Sequence, residues 1–376
     1  MQKREITNIY YFTTAKYPSS FANRAQAMKM AEALGHYTKV TFFVSRFSSQ
    51  AEEIFKKYTI EKNAFSVNVV PEFHIRPRGL WSVRAFAAHT RKAPIGTVFY
   101  IREIMPAFYL LFLSKRFRNN FFFESHSLHR FSRYIYKAVF SFARGIIVTN
   151  SYKKEQLLKW GILEEKIIVE PNALDEKRFS RLTTREKART ALGLPLDKKI
   201  ILYLGIFSPD RGSDVFMKTA TLAPRSLGEF YAVGGTGEQI TRAKKEFDVS
   251  HLHIHELVPY EDVPLYYSAA DCLVAPWSGK FEISRTQASP LKIPEFMYSE
   301  RPLIISDLPM TREWADESMV FFANPDNPTD ILKQITYVLS HPDEAITRAS
   351  KAKVKARTHT WGRRADRIVA FMGGII

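Results

Sequence analysis

The sequence predicts an α/β protein of two domains, each a parallel sheet covered by helices, and three observations carry that prediction. Its 376 residues exceed what one hydrophobic core usually organises. Apolar residues make up 45% of the chain and aromatics 14%, enough to build two cores. Short apolar strands alternate with amphipathic helical stretches from end to end, the pattern of strand–helix–strand units.

The first set runs through Ile6–Phe12, a helix over Ala22–Leu34, Lys39–Val44, Asn68–Val70, Phe121–Glu124, a helix over Leu128–Phe142, Gly145–Thr149, a helix over Lys153–Trp160, and Lys166–Glu170. The connector Pro171-Asn172-Ala173-Leu174-Asp175 and a charged stretch, Glu176–Lys187, follow. A second set opens at Lys199–Leu204 and continues through Glu229–Val233, His251–Leu257, Asp271–Ala275, Arg301–Ser306 and Met319–Phe322. The expected division is residues 1–180 and 181–357, with a basic last helix inside 358–376 returning to the first domain. No tandem repeat or low-complexity segment is present.

The single Cys272 excludes an intramolecular disulfide and fits a reducing compartment. The first residues lack the apolar core and small-residue cleavage site of a secretory signal, so export is not expected. The longest apolar run, Ile104 to Leu113, is interrupted by Pro106 and falls far short of the roughly 20 residues needed to span a bilayer. A cytoplasmic protein is expected. Lys and Arg number 55 against 38 Asp and Glu, a formal charge of +17. Such a surface attracts anionic lipid, nucleic acid or phosphorylated substrates. Between residues 74 and 144 many basic residues, interleaved with aromatics, face only Glu103 and Glu124. An anionic membrane leaflet suits that mixture, since each Lys or Arg near it contributes about 1 kcal/mol.

The most informative segment is Ser289-Pro290-Leu291-Lys292-Ile293-Pro294-Glu295, ahead of the apolar Leu303-Ile304-Ile305. Ser289 suits an N-cap and Pro290 a first helical position, which would turn the N–H groups of Leu291 and Lys292 toward an anion. Lys292 adds a positive charge, and Glu295 can accept two hydrogen bonds from a vicinal diol such as a ribose. Phosphate with sugar means nucleotide. Pro294, inside the helix, should shorten or kink it. Arg211 lies in a loop just beyond a core strand, and His126 at a strand's carboxyl end, where open α/β sheets bind ligands.

With these elements placed, the chain resembles the GT-B glycosyltransferases, specifically the retaining family four (group 1). Val148-Thr149-Asn150-Ser151, Lys166-Ile167-Ile168-Val169 and Pro171-Asn172-Ala173-Leu174-Asp175 are similar to the family's strand, helix and connector. Leu202 to Gly212 resembles its strand-to-loop segment, with Ile206 where the family has Arg and Arg211 where it has Lys. Glu295 fits the second carboxylate of the family's spaced pair, whereas the first position falls on Gln287. Pro18 to Arg24 occupies the place of the family's glycine pair, with Ala22-Asn23 replacing Gly-Gly.

The resemblance implies two Rossmann-like domains facing a central cleft, and transfer of a hexose from a UDP- or GDP-sugar, with retention, to a lipid-linked or surface-polysaccharide acceptor. It implies catalytic roles for His126, Arg211, Lys292 and Glu295. Donor contacts would come from Gly205, Gly212, Gly235, Val258, Gln287, Ala288, Ser289, Pro290 and Leu291, and acceptor-side contacts from Ser20, Ala22, Asn23 and Arg24. No cofactor beyond the donor is expected. No metal is expected either: His251, His253 and His255 alternate on one strand about 6.6 Å apart, without cysteine partners. Gly234-Gly235-Thr236-Gly237 lacks the spacing of a dinucleotide fingerprint. Two other readings stand beside this one: a scaffold of the same fold that has lost catalysis, suggested by Ile206, Gln287 and Ala22-Asn23, and a basic nucleic-acid-binding protein. The latter lacks a recognition module, so no nucleic-acid partner is expected.

Overall fold

A computed structural model describes residues 6–19, 22–47, 51–70, 80–128 and 133–375. The chain divides into two compact units, Met1–Asn172 with Trp361–Ile376, and Ala173–Thr360.

The first unit is built on a seven-stranded parallel sheet. Its strands are β1 (Asn8–Phe12), β3 (Lys39–Val44), β5 (Ser66–Val69), β6 (Thr97–Ile101), β7 (Phe121–Ser125), β8 (Gly145–Val148) and β9 (Ile167–Val169). They lie in the order β5-β3-β1-β6-β7-β8-β9, and a short pair, β2 (Lys16–Tyr17) with β4 (Arg46–Phe47), sits apart. Central strands such as Thr97-Val-Phe-Tyr-Ile101 and Phe121-Phe-Phe-Glu-Ser125 are buried at every position, which is why they read as apolar runs rather than alternations. The order reverses between β1 and β6, so the loops leaving those two strands diverge and open a crevice at their carboxyl ends. One face of this sheet packs against the helices Leu80–Lys92, Ile104–Leu113, Lys115–Arg118 and Arg133–Phe142 through Phe86, Leu110, Phe117 and Phe140.

The second unit carries six parallel strands: β10 (Ile200–Leu204), β11 (Glu229–Gly235), β12 (Leu252–Glu256), β13 (Cys272–Ala275), β14 (Leu303–Ser306) and β15 (Phe321–Ala323). Their order is β12-β11-β10-β13-β14-β15, which places a second reversal between β10 and β13. One core centres on Tyr267, Phe296 and Trp314, the other on Phe216, Phe230 and Ile335. Cys272 is a buried strand residue, its thiol pushed up by burial.

Several elements of the first unit differ from expectation. β6, the strand beside β1, and the helix Ala51–Lys57 were not foreseen. The run Ile104–Leu113 is a helix, because Pro106 falls within its first turn, where a missing N–H leaves no bond unmade. The expected helix Leu128–Phe142 is described from Arg133 onward. The final helix, Trp361–Ile375, belongs to the first unit.

Candidate functional site

In the second unit the loops after β10 and β13 flank the strand-order reversal, and they carry the residues the sequence singles out. After β10 the chain makes a tight turn over Pro209–Arg211, and Gly212 follows with φ +69°. A Cβ at Gly212 would lie 1.8 Å from the Pro276 carbonyl oxygen, so only glycine lets this loop approach the one after β13. The Asp210 carbonyl ties them further, accepting from Ser278 N at 3.2 Å and Ser284 Oγ at 3.1 Å. Arg211 is thereby set at the crevice, about one-third exposed, with Nε 3.2 Å from Asp210 Oδ2.

The loop after β13 passes through one turn of wide helix, Ile283–Gln287, and then enters the helix Lys292–Tyr298. Leu291, not Ser289, is the residue that caps it. The correction has a physical cause. A helix starting at Pro290 would put Pro294 where its N–H must bond the first turn, whereas starting at Lys292 makes Pro294 one of the positions that needs no partner. The first helical N–H groups are therefore those of Lys292 and Ile293 rather than Leu291 and Lys292, and the helix is two turns long.

Glu295 is buried, 4% exposed, at the centre of a charged cluster. Its Oε1 accepts from Arg178 Nη1 at 3.0 Å and from Tyr260 OH at 3.5 Å. Its Oε2 accepts from Tyr267 OH at 3.1 Å and lies 3.4 Å from Lys292 Nζ. Burial would raise this carboxyl, but Lys292 and Arg178 outweigh it and hold it below the usual range. Lys292, which the sequence suggested would need an external anion, is paired with Glu295 and donates to Tyr267 OH at 3.2 Å. Burial lowers its ammonium, and the charges of Arg178 and Arg211 push the same way against Glu295. Arg211, Lys292 and Glu295 thus belong to one electrostatic neighbourhood.

Arg178 is the residue sequence reasoning missed. It lies on the short helix Glu176–Phe179, donates through Nε to the Tyr260 carbonyl at 2.9 Å and stacks on the Tyr260 ring. One of its terminal nitrogens, Nη2, is buried without a hydrogen-bond partner among the described residues. Its signal was position, three residues past Asp175 and just before Phe179 in a stretch that reads only as charged.

The remaining donor-side residues divide between loop and core. Gly205 follows β10, and its carbonyl oxygen lies 2.0 Å from where a Cβ on Gly234 (φ +131°) would stand. Close approach at this turn therefore falls to Gly234, while the space beside Gly235 is filled by Phe207 and Ile240. Val258 and Ala288 pack against the core, and Gln287, Ser289 and Pro290 line the segment ahead of the helix. The three histidines part company: His251 bonds the Ala220 carbonyl and His253 pairs with Glu229 at 2.8 Å.

In the first unit Arg24, Asn23 and the loop after β6 meet at the β1–β6 reversal. Arg102 donates to the Asn23 carbonyl at 3.2 Å, and Arg24 lies 3.6 Å from Glu103. Glu103 also accepts from Thr13 Oγ1 and Thr14 Oγ1, both at 2.8 Å, and from Thr14 N at 2.7 Å. Ala22 begins the helix Ala22–Gly35; Ser20 lies outside the described residues. His126 follows β7, with Nε2 3.0 Å from Glu124 Oε1, although Nε2 makes no hydrogen bond among the described residues. Burial and the Arg102 charge push its imidazole down to about 4, against the pull of Glu124, so it is neutral near pH 7.

The fold is that of the GT-B glycosyltransferases, and solved structures share it. Sucrose-phosphate synthase from Thermosynechococcus elongatus is 17% identical over 96% of this chain and 97% of its own, with a TM-score of 0.75. A glycosyltransferase from Rickettsia africae is 15% identical over 99% and 98%, at 0.77. Anabaena HepE, solved with UDP-glucose, is 14% identical over 96% and 98%, at 0.71. No curated protein matches the chain by sequence. Residues 198–341 match the family described as Glycosyl transferases group 1. That segment, less than half of the chain, is similar to the group 1 glycosyl transferases.

Proposed function

We propose that this protein is a retaining hexosyltransferase that moves a sugar from a UDP- or GDP-sugar to a lipid-linked or surface-polysaccharide acceptor without a metal. The observation that carries the reading is the gathering of Arg211, Lys292 and Glu295 at the β10–β13 reversal, inside the segment that matches group 1. Negative charge develops on the departing diphosphate, and Arg211 and Lys292 supply fixed positive charge to meet it, the preorganised electrostatic contribution that usually dominates. Glu295 offers carboxylate lone pairs to the ribose diol. His126, uncharged at neutral pH, is assigned to the sugar hydroxyls. A donor phosphate oxygen takes the acceptor proton, so no protein nucleophile is needed. HepE, solved with UDP-glucose, makes uridine the first base to try.

A membrane-facing acceptor is supported by the helices over the first sheet. Leu80–Lys92, Ile104–Leu113, Lys115–Arg118 and Arg133–Phe142 hold Arg84, Arg91, Lys92, Lys115, Arg116, Arg118, Arg133 and Lys137 and not one acidic residue. The same helices expose Phe112 (73%) and Tyr134 (82%). Basic charge with apolar wedges suits an anionic leaflet on the cytoplasmic side. Among the described residues, no helix is long and apolar enough to cross a membrane.

The test is a panel of UDP- and GDP-hexoses with wild type and Glu295→Gln, read by nucleotide release, with the anomeric configuration of the product followed by proton NMR and EDTA present throughout. Turnover with retained configuration, and weaker donor binding in the variant, are expected. Unchanged donor affinity in folded Glu295→Gln removes the ribose assignment. Tight nucleotide binding without turnover favours the scaffold reading, for which Gln287 in place of a carboxylate is the motivating departure.

A further inference from the structure

Arg364, on the final helix, is fully buried. Its Nε donates to the Pro171 carbonyl at 2.8 Å and its Nη2 to the Glu170 carbonyl at 3.1 Å, while Nη1 contacts Met30 Sδ at 2.8 Å. The same Nη2 donates to Glu124 Oε1 at 2.7 Å, its one contact with a full negative charge among the described residues. A sealed ion pair is weak evidence for stability, because desolvation offsets most of the attraction. Its placement is more informative. Glu124 stands at the end of β7, its Oε2 accepts from Tyr100 OH at 2.8 Å, and the oxygen shared with Arg364 is the one 3.0 Å from His126 Nε2.

We propose that Arg364 is a positioning residue for sugar transfer: it fixes the Glu124 carboxylate and so determines where the His126 imidazole points. The inference rests on the role assigned to His126 above. With Glu124 held on two sides, by Arg364 and Tyr100, its oxygen approaches the ring off the hydrogen-bond direction, and Nε2 is left without a hydrogen-bond partner among the described residues. Freed of Arg364, the carboxylate would swing onto the imidazole, bond it fully and draw a proton to it. The ring would then be spent on Glu124 and charged. Among the described residues the charged groups facing His126 are Glu124, Arg102 and Arg364, and the phenols of Tyr11 and Tyr100 share the cluster with their protons held firmly by burial.

The experiment uses the full chain with 15N-labelled histidine and follows the His126 ring by NMR against pH in wild type, Arg364→Met and Arg364→Lys. Steady-state kinetics are measured on the same samples with the nucleotide sugar that supports turnover. In Arg364→Met the His126 midpoint is expected to rise by about one to two pH units. The kcat is expected to fall by about 10-fold or more with KM for the donor nearly unchanged, the split of a misaimed group rather than a lost binding contact. Arg364→Lys, which restores the charge but not the fork, returns the midpoint toward wild type. A midpoint and kcat unmoved in folded Arg364→Met overturn the proposal. Should that variant not fold, Glu124→Gln decides: full kcat there overturns it, and a lowered kcat with unchanged donor KM supports it. The ring titration needs no substrate, so failure to find a donor would count against the proposed function while leaving the positioning role to be judged by NMR.

Discussion

The Arg178–Glu295 pair makes an asymmetric prediction about stability. Both side chains are almost sealed, 3% and 6% exposed, and their charged atoms are 3.0 Å apart. At an effective dielectric of about 20 the bare attraction is roughly 5 kcal/mol, and desolvation of two ions offsets most of it. Removing one partner is a different matter, because the other stays buried and charged. Without the Glu295 carboxylate, Arg178 keeps a single carbonyl bond and a ring, and Lys292 loses its nearby anion as well. Without Arg178, Glu295 keeps Lys292 and the hydroxyls of Tyr260 and Tyr267. Glu295→Gln should therefore destabilise the second unit by about 3–5 kcal/mol. Arg178→Met should do less harm, about 1–3 kcal/mol. Glu295→Leu with Arg178→Met should recover much of the loss. Hydrogen exchange of β10 and β13 amides in increasing urea reads these values for the unit that holds the pair. Equal losses in the two single variants, or a double variant no better than the sum of its parts, would refute the reasoning.

Other outcomes follow from features already described. Gly212→Ala should destabilise the second unit and weaken UDP or GDP binding together, since the Pro276 carbonyl must move and Arg211 moves with it; calorimetric titration against a melting curve checks the pairing of effects. Acidification should weaken the first unit from about pH 6.5 down to about 4, because there the unfolded chain protonates His126 and the folded one does not. The contribution is at most about 3 kcal/mol, and His126→Gln should flatten that part of a plot of urea midpoint against pH. Below it Glu124, held well under the usual carboxyl range by Arg364, His126 and Arg102 despite burial, loses its own contribution. Vesicles rich in anionic lipid should sediment the protein in low salt, and Phe112→Ser with Arg118→Glu should release it while leaving nucleotide binding intact.

Much of the fold was legible because the central strands are buried on both faces and read as apolar runs. β7 and β10 stand out for that reason. β6 was overlooked although its five residues are all buried, since it is embedded in the basic stretch where charge dominates the reading. Pro106 misled because it lies in the first turn of its helix, and Pro294 shortened its helix as expected but by moving the start to Lys292; the sequence alone does not say where a first turn begins. Glu295, Lys292 and Arg211 were singled out from local pattern, and the structure brings them into one neighbourhood. Arg178, Glu103 and Arg364 were not, because a buried ion in a charged stretch looks like any solvated one until its distant partner is known. The partners of Arg178 and Arg364 lie 117 and 240 residues away.

The final helix has a consequence for how this chain comes into being. Residues 361–375 complete a unit whose sheet is finished by residue 169, and Arg364 and Arg367 neutralise Glu124 and Glu170 there. During synthesis from the amino terminus, the group 1 segment emerges whole and can fold while the earlier unit waits with two carboxylates unanswered. The part translated first is thus the part finished last.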